Sequence, residues 1–278
     1  MRPTLFLSLV VAAVLAGSEI IGVSQPGKLR IISITRVVRI PLNDVESGPN
    51  TAASAFPDLA VSKGGEDETP IGPDSFDVYD DGSFLVTDPL LNRISLFNSD
   101  GQFKRAWQLG FAADRVTILS NATFQVRNAK TSMVYVVDQK GGIHLSEPLA
   151  SDSSAKITSR ETGVVARRVG IIGGPAQINV QLNRPGFTLL SLELIGTDED
   201  GSSYIAVECT QGDKGADGIS VNKNVRRYAA DGRLLSQTDD LPLDYYVTPV
   251  DELRVHKGVV YQLMTTPTEL HLNIWDLN

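Results

Sequence analysis

Three carboxylates stand at the ends of short apolar runs: Asp88 closes FLVTD, Asp138 closes VYVVD and Glu208 closes YIAVE. A carboxylate at a strand end can accept backbone N–H groups or pair with an arginine. Several on one face can attract a cation or a basic partner. Asp88 and Asn92 bracket one short loop. After Glu208 the corresponding stretch, Cys209 to Asn222, is longer and carries Asp213, Lys214 and Asp217 among three glycines, Gly212, Gly215 and Gly218. Loops held on a rigid scaffold carry recognition more often than the scaffold does. Asp88, Asn92, Asp138, Glu208, Asp213, Lys214 and Asp217 are therefore the candidate binding set. The competing reading is that each carboxylate only fixes its own loop, with Arg93 or Arg226 as a partner.

Other chemistries find little support. The chain has three histidines, His144, His256 and His271, each in or beside a strand-like pattern. Its single cysteine, Cys209, rules out an intramolecular disulfide and a cysteine-based metal cluster. Glu208 beside it disfavours a thiolate. There is no nucleophile elbow, no His-Glu-x-x-His and no phosphate loop. Gly170 to Gly174 (GIIGG) runs into Pro175 rather than a helix start. The acidic run Glu66-Asp67-Glu68 reads as a solvated loop. A formal net charge of -8 and a pI of about 4.9 argue against a nucleic-acid partner, which needs a basic face.

The N-terminus has the layout of an export leader. Arg2 precedes an apolar run from Leu5 to Ala16, and small residues follow. The run is shorter than the roughly 20 residues of a bilayer span. The expectation is a leader over 1–24, cut between Ala16 and Ser24, and one domain over 25–278. That places the mature chain outside the cell or in a periplasm, with no stable membrane span.

The stretch Phe76 to Trp107 predicts four strands: Phe76–Tyr79, Phe84–Asp88, Arg93–Asn98 and Gln102–Trp107. Asp81-Gly82 and Asp100-Gly101 supply residues that tolerate positive φ in tight turns. Pro89 suits the remaining loop, since it cannot donate to a ladder. Further strands are expected over Ile31–Leu42, Val116–Leu119, Thr123–Val126, Val134–Asp138, Ile143–Leu145, Gly163–Ile172, Gln177–Leu182, Thr188–Ile195, Val259–Met264 and Thr268–Leu277, with a weak one at Asp58–Val61. No longer segment has helical periodicity, so the chain reads as all-β.

The pattern repeats. Asp198–Glu208 matches Tyr79–Asp88 with one extra residue, and Lys223–Thr238 matches Asn92–Trp107 without a gap. Val134–Asp138 matches the second strand of both units, which would put Asp88, Asp138 and Glu208 at equivalent places. The clean alternation of Thr268–Leu277 leaves an edge that Ile31–Leu42 could pair. Roughly 250 residues follow the leader; at about 40–45 residues per four-stranded blade this gives about six blades, the ring closed by the N- and C-terminal strands.

The first unit, carried by Pro73, Phe76, Val78, Asp81, Gly82, Val86, Asp88, Asn92, Arg93, Ile94, Phe97, Asp100 and Gly101, resembles the NHL repeat of six-bladed, TolB-like β-propellers. The second unit keeps the Asp-Gly turns but has Lys223-Asn224-Val225 in place of Asn-Arg-Ile. The resemblance covers roughly a third of the chain. It implies a propeller whose relatives include protein-binding scaffolds, calcium-dependent lactonases and streptogramin-lyase-like enzymes with a histidine base. The expectation is an exported, non-catalytic propeller that binds a protein or another ligand through one face and needs no cofactor. The alternative is a calcium-dependent hydrolase or a lyase of the same form, with Asp88, Asp138 and Glu208 as the candidates for its site and no metal ligand set assigned.

Overall fold

The structure is a computed structural model of the chain that describes residues 29–45, 58–64, 68–146, 166–170, 177–182, 186–211 and 220–278. These residues form strands and turns with no helix, as the sequence pattern requires. The N-terminal residues form β1 (Arg30–Ile32), β2 (Arg36–Asp44) and β3 (Leu59–Val61). A first antiparallel sheet follows in hairpin order: β4 (Phe76–Val78), β5 (Phe84–Asp88), β6 (Arg93–Phe97) and β7 (Phe103–Gln108). A second has the same order: β8 (Ala113–Ser120), β9 (Thr123–Asn128), β10 (Val134–Asp138) and β11 (Ile143–Ser146). β12 (Ala166–Gly170) and β13 (Gln177–Gln181) make a two-stranded ladder.

The third four-stranded hairpin series is β14 (Phe187–Thr197), β15 (Ser203–Gln211), β16 (Ser220–Tyr228) and β17 (Leu234–Thr238). The last sheet begins with β18 (Leu253–His256), β19 (Val259–Thr265) and β20 (Glu269–Asp276). It is completed from the other end of the chain. β2 pairs antiparallel with β20, from Arg36 opposite Ile274 to Pro41 opposite Glu269. The expected pairing of the two terminal strands is therefore present.

Two details differ from the sequence reading. The single strand expected over Ile31–Leu42 is broken between Ile32 and Arg36. β1 lies parallel to β17 in one sheet, while β2 belongs to the next. Thr35 anchors the crossing, its N–H and Oγ1 both donating to Ile274 O at 2.8 Å. The described residues form five sheets, one of them two-stranded, where about six blades are expected.

Core composition follows the strand pattern. β5 is buried on both faces, because neighbouring sheets cover each side of it. Val38, Ile40 and Leu42 alternate inward from β2 and pack with Phe76, Phe84, Phe97, Leu263 and Leu270. Gly101 has φ 83, and a Cβ there would lie 2.5 Å from Val38 Cγ1, so β2 passes where only glycine leaves room.

The first strands of successive sheets lie side by side. β4 packs against β8 and β18, and β14 packs against β18. Four sheets thus turn the same edge toward a common interior, and it is there that the polar side chains gather.

Candidate functional site

The sequence Asp74-Ser75-Phe76-Asp77 sets an alternation at β4 that buries Phe76 and sends polar groups toward β8 and β18. The carbonyl of Asp74 accepts the N–H groups of Val250 and Asp251 at 2.7 and 3.1 Å, locking the approach to β18 onto β4. Ser75 Oγ donates to Asp251 Oδ2 at 2.6 Å and accepts Val116 N–H at 3.2 Å, so one hydroxyl joins three sheets. Asp77 Oδ2 accepts Ile118 N–H at 2.7 Å.

Arginines are set against these carboxylates. Arg254 reaches Asp251 Oδ2 at 2.9 Å and Asp77 Oδ1 at 3.8 Å, and Arg115 reaches Asp251 Oδ1 at 3.2 Å. Arg127 clasps Asp114 with two bonds of 2.8 and 2.9 Å. A fork of this kind fixes orientation as well as charge. Asp74 differs from the rest. Its Oδ1 accepts Thr87 Oγ1 at 2.8 Å, and it forms no ion pair among the described residues. Burial pushes Asp74 up to about 7, with the charges of Asp114 and Asp251 acting in the same direction. Burial also raises Asp77, against the opposing pull of Arg254.

The next residue of β18's approach turns to the other neighbouring sheet. Glu252 Oε2 lies 2.5 Å from Lys223 Nζ of β16. Tyr245 OH donates to Glu252 Oε1 and accepts Gln262 Nε2 at 2.7 Å. Burial first, and the Glu252 carboxylate second, hold the Tyr245 phenol above its ordinary range. Asn273 Nδ2 donates to Gln262 Oε1 at 3.2 Å. Asp251 and Glu252 thus connect two charged networks, one along the inner edges of the first, second and last sheets and one reaching β16 of the third. No histidine belongs to either. Among the described residues no group of three or more His, Cys, Asp or Glu side chains has the arrangement of a metal site.

The three strand-end carboxylates do not occupy equivalent positions. The β4–β5 turn has Tyr79 N–H to Ser83 O and Gly82 N–H to Tyr79 O. The β14–β15 turn repeats this with Asp198, Ser202 and Gly201. Phe84 faces Phe97 as Ser203 faces Tyr228. Asp88, opposite Arg93, then corresponds to Val207, opposite Asn224. The extra residue expected between the units is not there, and Glu208 is one step on, pointing to the other face. Asp138 differs again, because β10 is the third strand of its sheet and not the second. Its Oδ1 accepts the N–H groups of Lys140 and Gly142, as Asn98 Oδ1 accepts those of Asp100 and Gln102.

Each candidate has a local role. Asp88 is fully buried, lies 3.0 Å from Arg93 Nε and accepts Leu91 N–H at 3.3 Å. Burial pushes it up to about 6, with Arg93 opposing. Asn92 takes φ 50 at the β5–β6 turn, and its carbonyl accepts Leu109 N–H at 2.8 Å and Gln108 Nε2 at 3.1 Å. The backbone donors around Asp138 hold its carboxyl below the usual range. Glu208 accepts Ser191 Oγ at 2.9 Å. Cys209–Gln211 and Ser220–Asn222 are paired strand residues rather than loop, extending the β15–β16 hairpin past Glu208. Asp213, Lys214 and Asp217 lie outside the described residues. The sequence pattern does not mark Asp74, Asp77, Asp114, Asp251 and Glu252, since β18 is not among the expected strands and only the packing of β4 on β8 and β18 brings the five together. The alternation Leu253-Arg254-Val255-His256 was the available signal.

No family model matches the chain, and no curated protein matches it. Solved structures similar to it include a member of the DUF4221 family from Bacteroides vulgatus, at 12% identity over 88% of this chain and 97% of that one, TM-score 0.31. A catalytically inactive virginiamycin B lyase from Staphylococcus aureus with quinupristin is 12% identical over 73% of this chain and 94% of that one, TM-score 0.35. The calcium-binding protein regucalcin from Agrobacterium tumefaciens is 10% identical over 74% and 91%, TM-score 0.32.

Proposed function

We propose that residues 25–278 form an exported, NHL-like β-propeller that binds its ligand without catalysis, after an N-terminal leader over 1–24. The hairpin order of the sheets, the packing of their first strands and the union of β2 with β20 support a ring closed by the chain termini. The ligand meets the inner-edge network of Asp74, Asp77, Asp114 and Asp251. The observation that carries this reading is the state of those groups. Every carboxylate but Asp74 is fixed by an arginine or a backbone donor, and the Ser75 hydroxyl donates to Asp251, a carboxylate already paired with Arg115 and Arg254. Such a network orients a polar ligand, while Ser75, fully buried with its Oγ held between Asp251 and Val116 N–H, is placed to join sheets rather than to attack a substrate. Asp74 is the carboxylate of this network without a counter-charge among the described residues, so a donor or positively charged group of the ligand pairs with it there.

The test is a thermal melt of the full chain with excess calcium and with chelator, run beside a lactone and ester hydrolysis screen. The expected result is coincident melts and no turnover. A bound cation at about 100 times its dissociation constant would add roughly 2.7 kcal/mol. An upward shift that disappears in Asp74→Asn, accompanied by calcium-dependent hydrolysis, would replace the binding reading with a metal-dependent hydrolase.

A further inference from the structure

Away from the inner edges, a cleft of about 310 Å³ opens between the first two four-stranded sheets, where the β4–β5 turn meets β7 and the turns after β8 and β10. This is the low end of the range for small-molecule sites, about 300–1,000 Å³. The cleft is held open by a strap across the two sheets: Arg105 donates to Gln139 O, and Gln139 Nε2 donates to Asn121 O.

The hydrogen-bonding capacity of its wall is lopsided. The acceptors are engaged. Asp81 takes both the N–H and the hydroxyl of Ser83, which hold it below the usual carboxylate range. Asp80 faces Lys257 at 3.1 Å and His256 at 2.9 Å. The donors are not. Lys104 is exposed and forms no ion pair among the described residues, and Tyr79 OH makes no hydrogen bond among them. Trp107 is 5% exposed, with its indole Nε1 buried and without an acceptor, and Arg105 lies over its ring at 4.1 Å. A buried donor left unpaired is costly. The wall therefore offers the N–H groups of Lys104 and the O–H of Tyr79 beside the Arg105 guanidinium.

We infer that this cleft is a binding site for the oxyanion group of a small ligand, a carboxylate or a phosphate, received by Lys104, Arg105 and Tyr79. It is separate from the inner-edge network and does not depend on the function proposed for that network.

Calorimetric titration of the full chain with citrate and, separately, with inorganic phosphate tests it, with glucose as the neutral probe. The expected result is saturable binding of at least one oxyanion. Lys104→Ala and Tyr79→Phe should each weaken that binding at least tenfold while melting with the parent. Binding of citrate alone identifies a carboxylate ligand, of phosphate alone a phosphorylated one, and of both the shared oxyanion chemistry. Heats of dilution for both oxyanions overturn the inference. So does oxyanion binding unchanged in both variants, or glucose binding of equal strength.

Discussion

Asp88 and Arg93 face each other across β5 and β6 at 3.0 Å, with side-chain exposures of 0% and 2%. At the matching rung of the β15–β16 ladder stand Val207 and Asn224. The ion pair is therefore a device of one sheet rather than of the repeat. Its use is local: Arg93 Nη2 donates to Asp58 O at 2.5 Å, just before β3, so the pair fastens β3 over the end of the first sheet.

Breaking that pair from one side should be costly. Asp88→Leu leaves a buried guanidinium and Arg93→Met leaves a buried carboxyl, and each single change is expected to lose about 3–5 kcal/mol. The double variant, apolar on both sides, should recover most of the loss. Urea denaturation at pH 7.5 measures all four proteins. Additive losses in the double variant would show that the two side chains act independently.

Asp74 predicts a slope of stability with pH. Its folded value of about 7 is above the ordinary 3.8, so the folded chain holds that proton more tightly than the unfolded chain does. The resulting penalty is absent below pH ~4, grows as pH rises, and is complete above pH ~7. Asp88, pushed up to about 6, contributes in the same direction lower in the window. Asp74→Asn keeps an acceptor for Thr87 and should flatten the upper part of the slope. Each tenfold difference in proton affinity between the folded and unfolded chains is worth about 1.4 kcal/mol, so the variant should gain a few kcal/mol at pH 8. Unfolding free energies of the two proteins from pH 4 to 8 check this; parallel curves would refute it.

Much of this architecture is legible in the chain because turn chemistry and two-residue alternation are local properties. Phe84–Asp88 and Val134–Asp138 are strands with the bounds the pattern gives, and the weak signal at Asp58–Val61 is β3. What local pattern cannot supply is register. The hydrophobic match placed Glu208 on Asp88, whereas the ladder puts Val207 there, and one residue reverses the face. The inner-edge site was hidden for a related reason. Asp74, Asp114 and Asp251 are far apart in sequence, and only the packing of β4 against β8 and β18 makes them neighbours.

Two glycines in equivalent kinds of turn should respond differently to alanine. Gly82 has φ 77 and its Cβ would meet Ser99 Cβ at 3.3 Å; Gly101 has φ 83 and its Cβ would meet Val38 Cγ1 at 2.5 Å. Gly82→Ala should cost mainly the backbone strain, about 1–2 kcal/mol, with Ser99 giving way by a few tenths of an ångström. Gly101→Ala should cost that plus about 1–3 kcal/mol of overpacking, as β2 is pushed off the turn. Chemical denaturation of both variants decides it; equal losses would mean that β2 yields freely.

The broken N-terminal strand separates two contributions that one deletion would confuse. Removing residues through 34 takes away β1, whose Ile31 is 62% exposed and whose pairing adds only an outer strand to β17. Removing residues through 45 also takes away β2. That deletes Val38, Ile40 and Leu42 from the core and leaves β20 as an open edge. At about 1.5–3 kcal/mol for each buried aliphatic side chain, the three together approach the roughly 5–15 kcal/mol that holds a domain folded. The shorter deletion should melt in one transition a few degrees below the parent. The longer one should lose its cooperative transition and bind hydrophobic dye at room temperature. A longer deletion that melts like the parent would mean that β2 is not what completes the last sheet, and that the proposed closure of the ring by the chain termini is wrong.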